Sequence, residues 1–221
     1  MIRITGEMYP STIVLVVSIL TCQYASGNVI TSIFGSISTE QPQYTVVSKT
    51  DKYEIRRYGP QLWAEVDYMA NPSGDFDDNN GAGFQPLFRY ISGRNDRQKK
   101  IPMTTPVIMQ RLGSGTGRRR MAFVMPASQY SRLSDLPQPT DSKVILVAVN
   151  EPLVLACIRF SMSLTNSRIA AKETELREAA SANQVNLVSE MEAVRVAGYN
   201  PPWTLPPLRK NDICIPLVNQ A

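Results

Sequence analysis

The stretch YEIRRYGPQLWAEVDY, Tyr53 to Tyr68, decides the fold. Two runs rich in aromatic and β-branched residues flank Gly59-Pro60, a turn signal, so they read as two antiparallel strands. In the second run Leu62, Ala64, Val66 and Tyr68 alternate with Gln61, Trp63, Glu65 and Asp67. One face is therefore directed to a core and the other, carrying Trp63, is partly covered. The pattern returns in VILVAVNEPLVLACIRF, Val144 to Phe160, about a turn at Glu151-Pro152. Setting Pro60 on Pro152, an offset of 92 residues (152 − 60), brings Ala64 onto Ala156, Val66 onto Ile158 and Tyr68 onto Phe160. Likewise AFVMP, ending at Pro126, matches DICIP, ending at Pro216, at an offset of 90 (216 − 126). A helix candidate falls in the middle of each half. The predicted unit is ββαββ, used twice.

The first helix is predicted within GFQPLFRYISG, Gly83 to Gly93. Phe84, Leu87, Phe88 and Ile91 fall at i, i+3, i+4 and i+7, one apolar stripe. Pro86 is tolerated in the first turn, and Gly93 stands where a C-terminal cap belongs. The second helix is predicted from Ser167 to Asn183, with Ile169, Leu176 and Ala180 inward and Lys172, Glu173, Glu175 and Arg177 outward. Asn71 to Gly83 reads as a turn-rich loop, and Gly113 to Gly117 with Arg118 to Arg120 as a hairpin tip.

The chain has 221 residues, enough for one domain or two fused small halves. Its 43% hydrophobic and 19% charged composition is that of a globular chain. A net charge of +4 is too weak to indicate nucleic acid. The absence of histidine removes Ser-His-Asp and Cys-His triads, HExxH zinc sites and histidine-ligated heme. No phosphate loop or metal-ligand cluster takes their place. The pair Asp77-Asp78 reads as solvated loop carboxylates. A non-catalytic role is expected.

Ser11 to Thr21, STIVLVVSILT, is an apolar run of signal-peptide length, too short to span a bilayer. Ala25-Ser26-Gly27 supplies small residues for cleavage after Gly27. Residues 1–27 are thus expected to be a signal peptide, with a retained signal anchor or a buried strand of the domain as the alternatives, and the mature chain to be secreted without stable membrane insertion. Cleavage removes Arg3 and Glu7 together, so the charge stays +4, and leaves Cys157 and Cys214. These two form a disulfide in an oxidising compartment or remain two buried thiols.

Four stretches together resemble the SOUL heme-binding protein family. They are YEIRRYGPQLWAEV; LFRYISGRN followed by KKIPMTTPVIM; FVMP with the trailing LPQP; and YNPPWTLPPLRKNDICIPL. The similarity spans Gln43 to Val218, and the last block is the most specific. The resemblance implies an α+β fold in which two ββαββ pseudo-repeats form a distorted eight-stranded antiparallel barrel flanked by two helices. It also implies binding of heme or a related tetrapyrrole, without an enzymatic activity. Some members are thought to use an axial histidine. This chain has none, so hydrophobic docking is what carries over.

A porphyrin is a flat apolar plate with two carboxylates on one edge, and it needs an apolar wall with cations at the rim. The expected ligand-binding residues are Phe84, Leu87, Phe88 and Ile91 for the wall and Met103 for soft surface. Arg89, Lys99 and Lys100 would meet the propionates. Met109, Met121, Met125 and Arg94 are adjuncts. The plainer reading makes the stripe and the methionines core and the lysines solvated surface. Tyr90, Met103 and Cys157 are of iron-ligating type, but no spacing singles one out. Burying about 400 Å² of ligand at about 25 cal/mol/Å² yields about 10 kcal/mol. Association costs at least about 4 kcal/mol. The remainder, about 6 kcal/mol, is a dissociation constant of tens of micromolar, so docking alone is weak.

The rival function is a protein-interaction module. The segment Pro201-Pro202-Trp203-Thr204-Leu205-Pro206-Pro207 is rigid. Its Trp203 either docks a partner or clamps the strands of the second half.

Overall fold

Tyr53 to Tyr68 forms the two strands its pattern predicts, and they lie within one antiparallel sheet. The elements follow in the order β1 (Tyr44–Lys49), β2 (Glu54–Tyr58), β3 (Gln61–Met69), α1 (Phe84–Ile91), β4 (Val107–Arg111) and β5 (Arg118–Val124). Then come β6 (Ile145–Val149), β7 (Leu153–Phe160), α2 (Asn166–Ala182), β8 (Arg195–Gly198) and β9 (Asn211–Pro216). The computed structural model describes residues 39–70, 75–76, 81–113 and 117–218. The expected signal peptide, the Asp77-Asp78 pair and residues 114–116 of the expected hairpin tip lie outside them.

The nine strands form one curled half-barrel in the order β1-β2-β7-β9-β8-β4-β5-β3-β6. This corrects the expected eight-stranded barrel in two respects. An additional strand, β1, pairs with β2 through Tyr44 opposite Tyr58, and β1 and β6 stand at opposite ends of the order. All six β1 residues are exposed. A strand without a buried face has no period-two apolar signal, which is why the pattern did not betray it. Arg118 to Arg120 also differ from expectation: they open β5, with Arg119 opposite Arg111 of β4.

The sheet has a helix-covered face and a helix-free one. α1 packs on β3 and β5, and α2 on β7 and β9. Between helices and sheet lies the main core, where Ala64, Val66, Leu87, Ile158, Ile169 and Ile213 are buried. α2 starts at Thr165, whose side chain accepts from the Arg168 amide, and buries Ile169, Leu176 and Ala180 as the spacing predicts, with Ala179 beside them. α1 is turned by about one position from the predicted stripe. Leu87, Tyr90 and Ile91 are buried, whereas Phe88 is 43% exposed. Tyr90 takes the inward place because its hydroxyl donates to the Pro137 carbonyl at 2.8 Å, so burial leaves no orphan polar group.

On the helix-free face two smaller clusters flank the centre of the sheet. Trp63, Ile108, Ala122 and Val124 form one; Leu155, Cys157 and Cys214 form the other. Cys157 and Cys214 are directly opposite in the β7–β9 ladder and joined as a disulfide.

Candidate functional site

The structure separates the residues expected to make one site. Leu87 and Ile91 belong to the main core and present no surface to a ligand. Phe84 is half-buried: it stacks on Phe88 with ring centroids 5.6 Å apart and meets Phe123 edge-on at 5.3 Å. The pair therefore forms an aromatic ledge, anchored inward through Phe84 and open to solvent at Phe88. Arg89, Lys99 and Lys100 are exposed. The Lys99 ammonium lies 5.0 Å from the centroid of the Tyr130 ring. The turn carrying these lysines is fixed by Asn95, whose side-chain amide donates to the Tyr90 and Lys99 carbonyls. Met103 is half-buried and packs against the main core.

The residues of iron-ligating type are mostly committed elsewhere. Tyr90 holds the Pro137 carbonyl, and burial raises its pKa, so it stays a neutral donor. Cys157 is in the disulfide. Met103 alone of the three retains an uncommitted donor atom. Among the described residues, no cluster of three Cys, Asp or Glu side chains is arranged to hold a metal ion.

A second concavity lies on the helix-free face. The rings of Tyr44, Tyr58, Trp63 and Tyr199 border it, and Ile108, Leu153, Leu155 and Ala197 supply aliphatic lining. Alternation on β3 places Trp63 there while Ala64 enters the main core; the same alternation on β4 and β8 exposes Ile108 and Ala197 to it. Gln41 and Pro42 close one side. They are held by the segment before β1, where the Glu40 carbonyl accepts from the Thr105 amide at 3.0 Å and the Glu40 carboxylate accepts from Ser128. The groove is open on one side, with a cavity volume of about 40 Å³, above the roughly 10–15 Å³ that one water needs on the same measure.

Arg195 of β8 enters this groove, with its guanidinium 5.5 Å from the Trp63 ring centroid. Among the described residues its Nε and Nη1 are buried without a hydrogen-bond partner. Burial lowers its pKa, partly offset by the charge of Glu65. Sequence reasoning missed this residue. Its surroundings come from β3, β4, β7 and β8, and no local spacing announces that they meet.

At the groove's rim a buried ionic network fixes the tyrosines. The Tyr199 hydroxyl donates to Asp212 Oδ2 at 2.8 Å. The Arg56 guanidinium lies 4.8 Å from the Tyr44 ring centroid, and Tyr44 contacts Tyr58 at 5.1 Å. Trp203, weighed as a strand clamp, is instead 67% exposed, with Leu205 beside it at 53%.

The profile of the SOUL heme-binding protein family matches residues 39–216. The chain is 31% identical over 156 residues to heme-binding protein 2 of Homo sapiens, covering 69% of this chain and 72% of that protein. It is 32% identical over 95 residues to heme-binding protein 2 of Mus musculus, covering 42% and 45% respectively. Among solved structures, a hydrolase from Listeria innocua superposes with a TM-score of 0.55 at 13% identity, covering 77% of this chain and 94% of that one. The EcmrR C-terminal domain superposes with a TM-score of 0.52 at 9% identity, covering 79% and 97%. These structural likenesses speak for the fold alone.

Proposed function

The chain belongs to the SOUL heme-binding protein family, and we propose on that premise that it binds heme or a related tetrapyrrole non-covalently and without catalysis. The observation that carries the placement is the stacked Phe84–Phe88 ledge, open to solvent at Phe88 and followed by the exposed cations Arg89, Lys99 and Lys100. Leu87 and Ile91 serve the site only by holding α1 in place. Hydrophobic contact with Phe88 and ion pairs to propionates supply the affinity, and no iron ligand from the protein is required. Weak, reversible binding suits transport, buffering or scavenging.

Two finer readings accompany this one. The order β2-β7-β9-β8-β4-β5-β3-β6 reads the same in reverse when the halves are exchanged, which supports descent from two ββαββ units. The register agrees: Trp63 faces Val124, Leu155 faces Pro216, and both partners differ by the 92 residues of the Pro60–Pro152 offset. The Cys157–Cys214 disulfide and the apolar run at 11–21 support work outside the cell. Exposed Trp203 and Leu205 favour a second reading as an interaction module.

Hemin titration of the mature protein tests the main proposal. A Soret shift saturating at one equivalent is expected. Phe88→Asp and the double change Lys99→Glu, Lys100→Glu should each weaken it. A flat titration overturns the proposal; unchanged affinity in these folded variants overturns the ledge.

A further inference from the structure

We propose that the helix-free groove binds a small apolar carboxylate and that Arg195 is its anchor. The site stands on the opposite face of the sheet from the aromatic ledge, takes a smaller ligand and does not depend on tetrapyrrole binding.

The argument starts from a guanidinium with unused donors. Among the described residues Arg195 Nε and Nη1 are buried without an acceptor, whereas buried donors nearly always have one. A guanidinium cannot escape by losing its proton. The carboxylates nearby are engaged elsewhere. Glu65 pairs with Arg120 at 3.3 Å. Asp212 accepts from Arg56, Arg159 and Tyr199. The charge of Glu65 reaches Arg195, but its nearest ion pair is with Arg120, so the unused donors are available to a carboxylate from outside the chain.

The surroundings define that anion. Ile108, Leu155 and Ala197 supply an apolar lining around the guanidinium, and the Trp63 ring lies beside it. The groove, about 40 Å³, takes a carboxylate head, while an aromatic or aliphatic body lies outward between Tyr44 and Leu153. One guanidinium matches one monoanion. A phosphate dianion would bring more charge and hydration than this lining offsets.

Fluorescence titration of the full mature chain with pyrenebutyrate, against its methyl ester as the neutral counterpart, tests the proposal. The acid is expected to bind at one equivalent and at least tenfold more tightly than the ester. Arg195→Met should weaken the acid at least tenfold and leave the ester unchanged. Ala197→Leu fills the groove while keeping the Arg195 side chain and should weaken the acid, which keeps the test decisive if Arg195→Met does not fold. Phe88→Asp should retain the acid while losing hemin, so the two sites fail separately. Equal affinity for acid and ester, or an unaltered acid affinity in folded Arg195→Met or Ala197→Leu, overturns the proposal. So does loss of the acid in Phe88→Asp.

Discussion

Arg56 and Asp212, 156 residues apart in sequence, meet through an Nη1 to Oδ2 hydrogen bond of 2.7 Å, with side chains 2% and 0% exposed. The same carboxylate accepts from Arg159 Nε at 2.8 Å and Nη2 at 2.9 Å, and from the Tyr199 hydroxyl. Removing one partner of a buried pair costs about 3–5 kcal/mol, because the other is left uncompensated. Arg56 keeps Glu54 at 2.9 Å, which moderates the loss. Asp212→Ala is therefore expected near the lower end, about 3 kcal/mol. Arg56→Met should cost less, since Asp212 retains Arg159 and Tyr199. Urea unfolding of both variants checks the order; equal losses would contradict it.

The same network sets an acid limit on stability. Burial raises the Asp212 pKa, but hydrogen bonds from Arg159 and the charge of Arg56 outweigh it and hold the value below the ordinary 3.8. A carboxyl depressed in the folded state stabilises above its unfolded pKa and loses that contribution as pH falls through the folded value. Glu65 has the opposite sign. Burial raises its pKa above 4.5 against the pull of Arg120, so its contribution is greatest below 4.5 and is lost as pH rises through the folded value. Melting between pH 7 and pH 3 should show Asp212→Asn losing the wild type's steep acid limb. Glu65→Gln should gain stability relative to wild type at pH 7 and lose that advantage near pH 4.

These contacts mark where the sequence stops being legible. The β2–β3 and β6–β7 hairpins and the inward face of α2 were readable because local apolar period alone determines them. β1 was not, since all six of its residues face solvent and backbone pairing leaves no side-chain signature. Hydrophobicity ranked Phe88 above Tyr90 for the core of α1. The outcome was reversed by the Pro137 carbonyl, 47 residues away, which satisfies the tyrosine hydroxyl. The ledge was half-legible for the same reason. The groove was not, because strands distant in sequence bring Trp63, Leu155 and Arg195 together.

The disulfide should matter to stability through the unfolded chain. Cys157 and Cys214 are separated by 57 residues, and closing a loop of that length removes about 4 kcal/mol of unfolded-state entropy. The double change Cys157→Ala, Cys214→Ala is expected to lower the unfolding free energy by about 2–4 kcal/mol. It should also raise the urea m-value, because the uncrosslinked chain exposes more surface. An unchanged m-value would contradict a constraint on the unfolded state.

Adjacent positions on α1 should separate folding from binding. Leu87 is fully buried in the main core, so Leu87→Ala creates a cavity costing about 2–5 kcal/mol. Phe88 contributes an exposed ring stacked on Phe84, and Phe88→Ser should cost only about 1 kcal/mol, the value of an aromatic pair. For hemin the order inverts. Phe88→Ser loses the contact surface and should raise the dissociation constant, whereas Leu87→Ala, measured below its melting transition, should leave it nearly unchanged. Urea unfolding and hemin titration on the same two proteins decide the matter. Were Leu87→Ala to impair hemin binding in the folded state more than Phe88→Ser, the ligand would be entering the core rather than lying on the ledge.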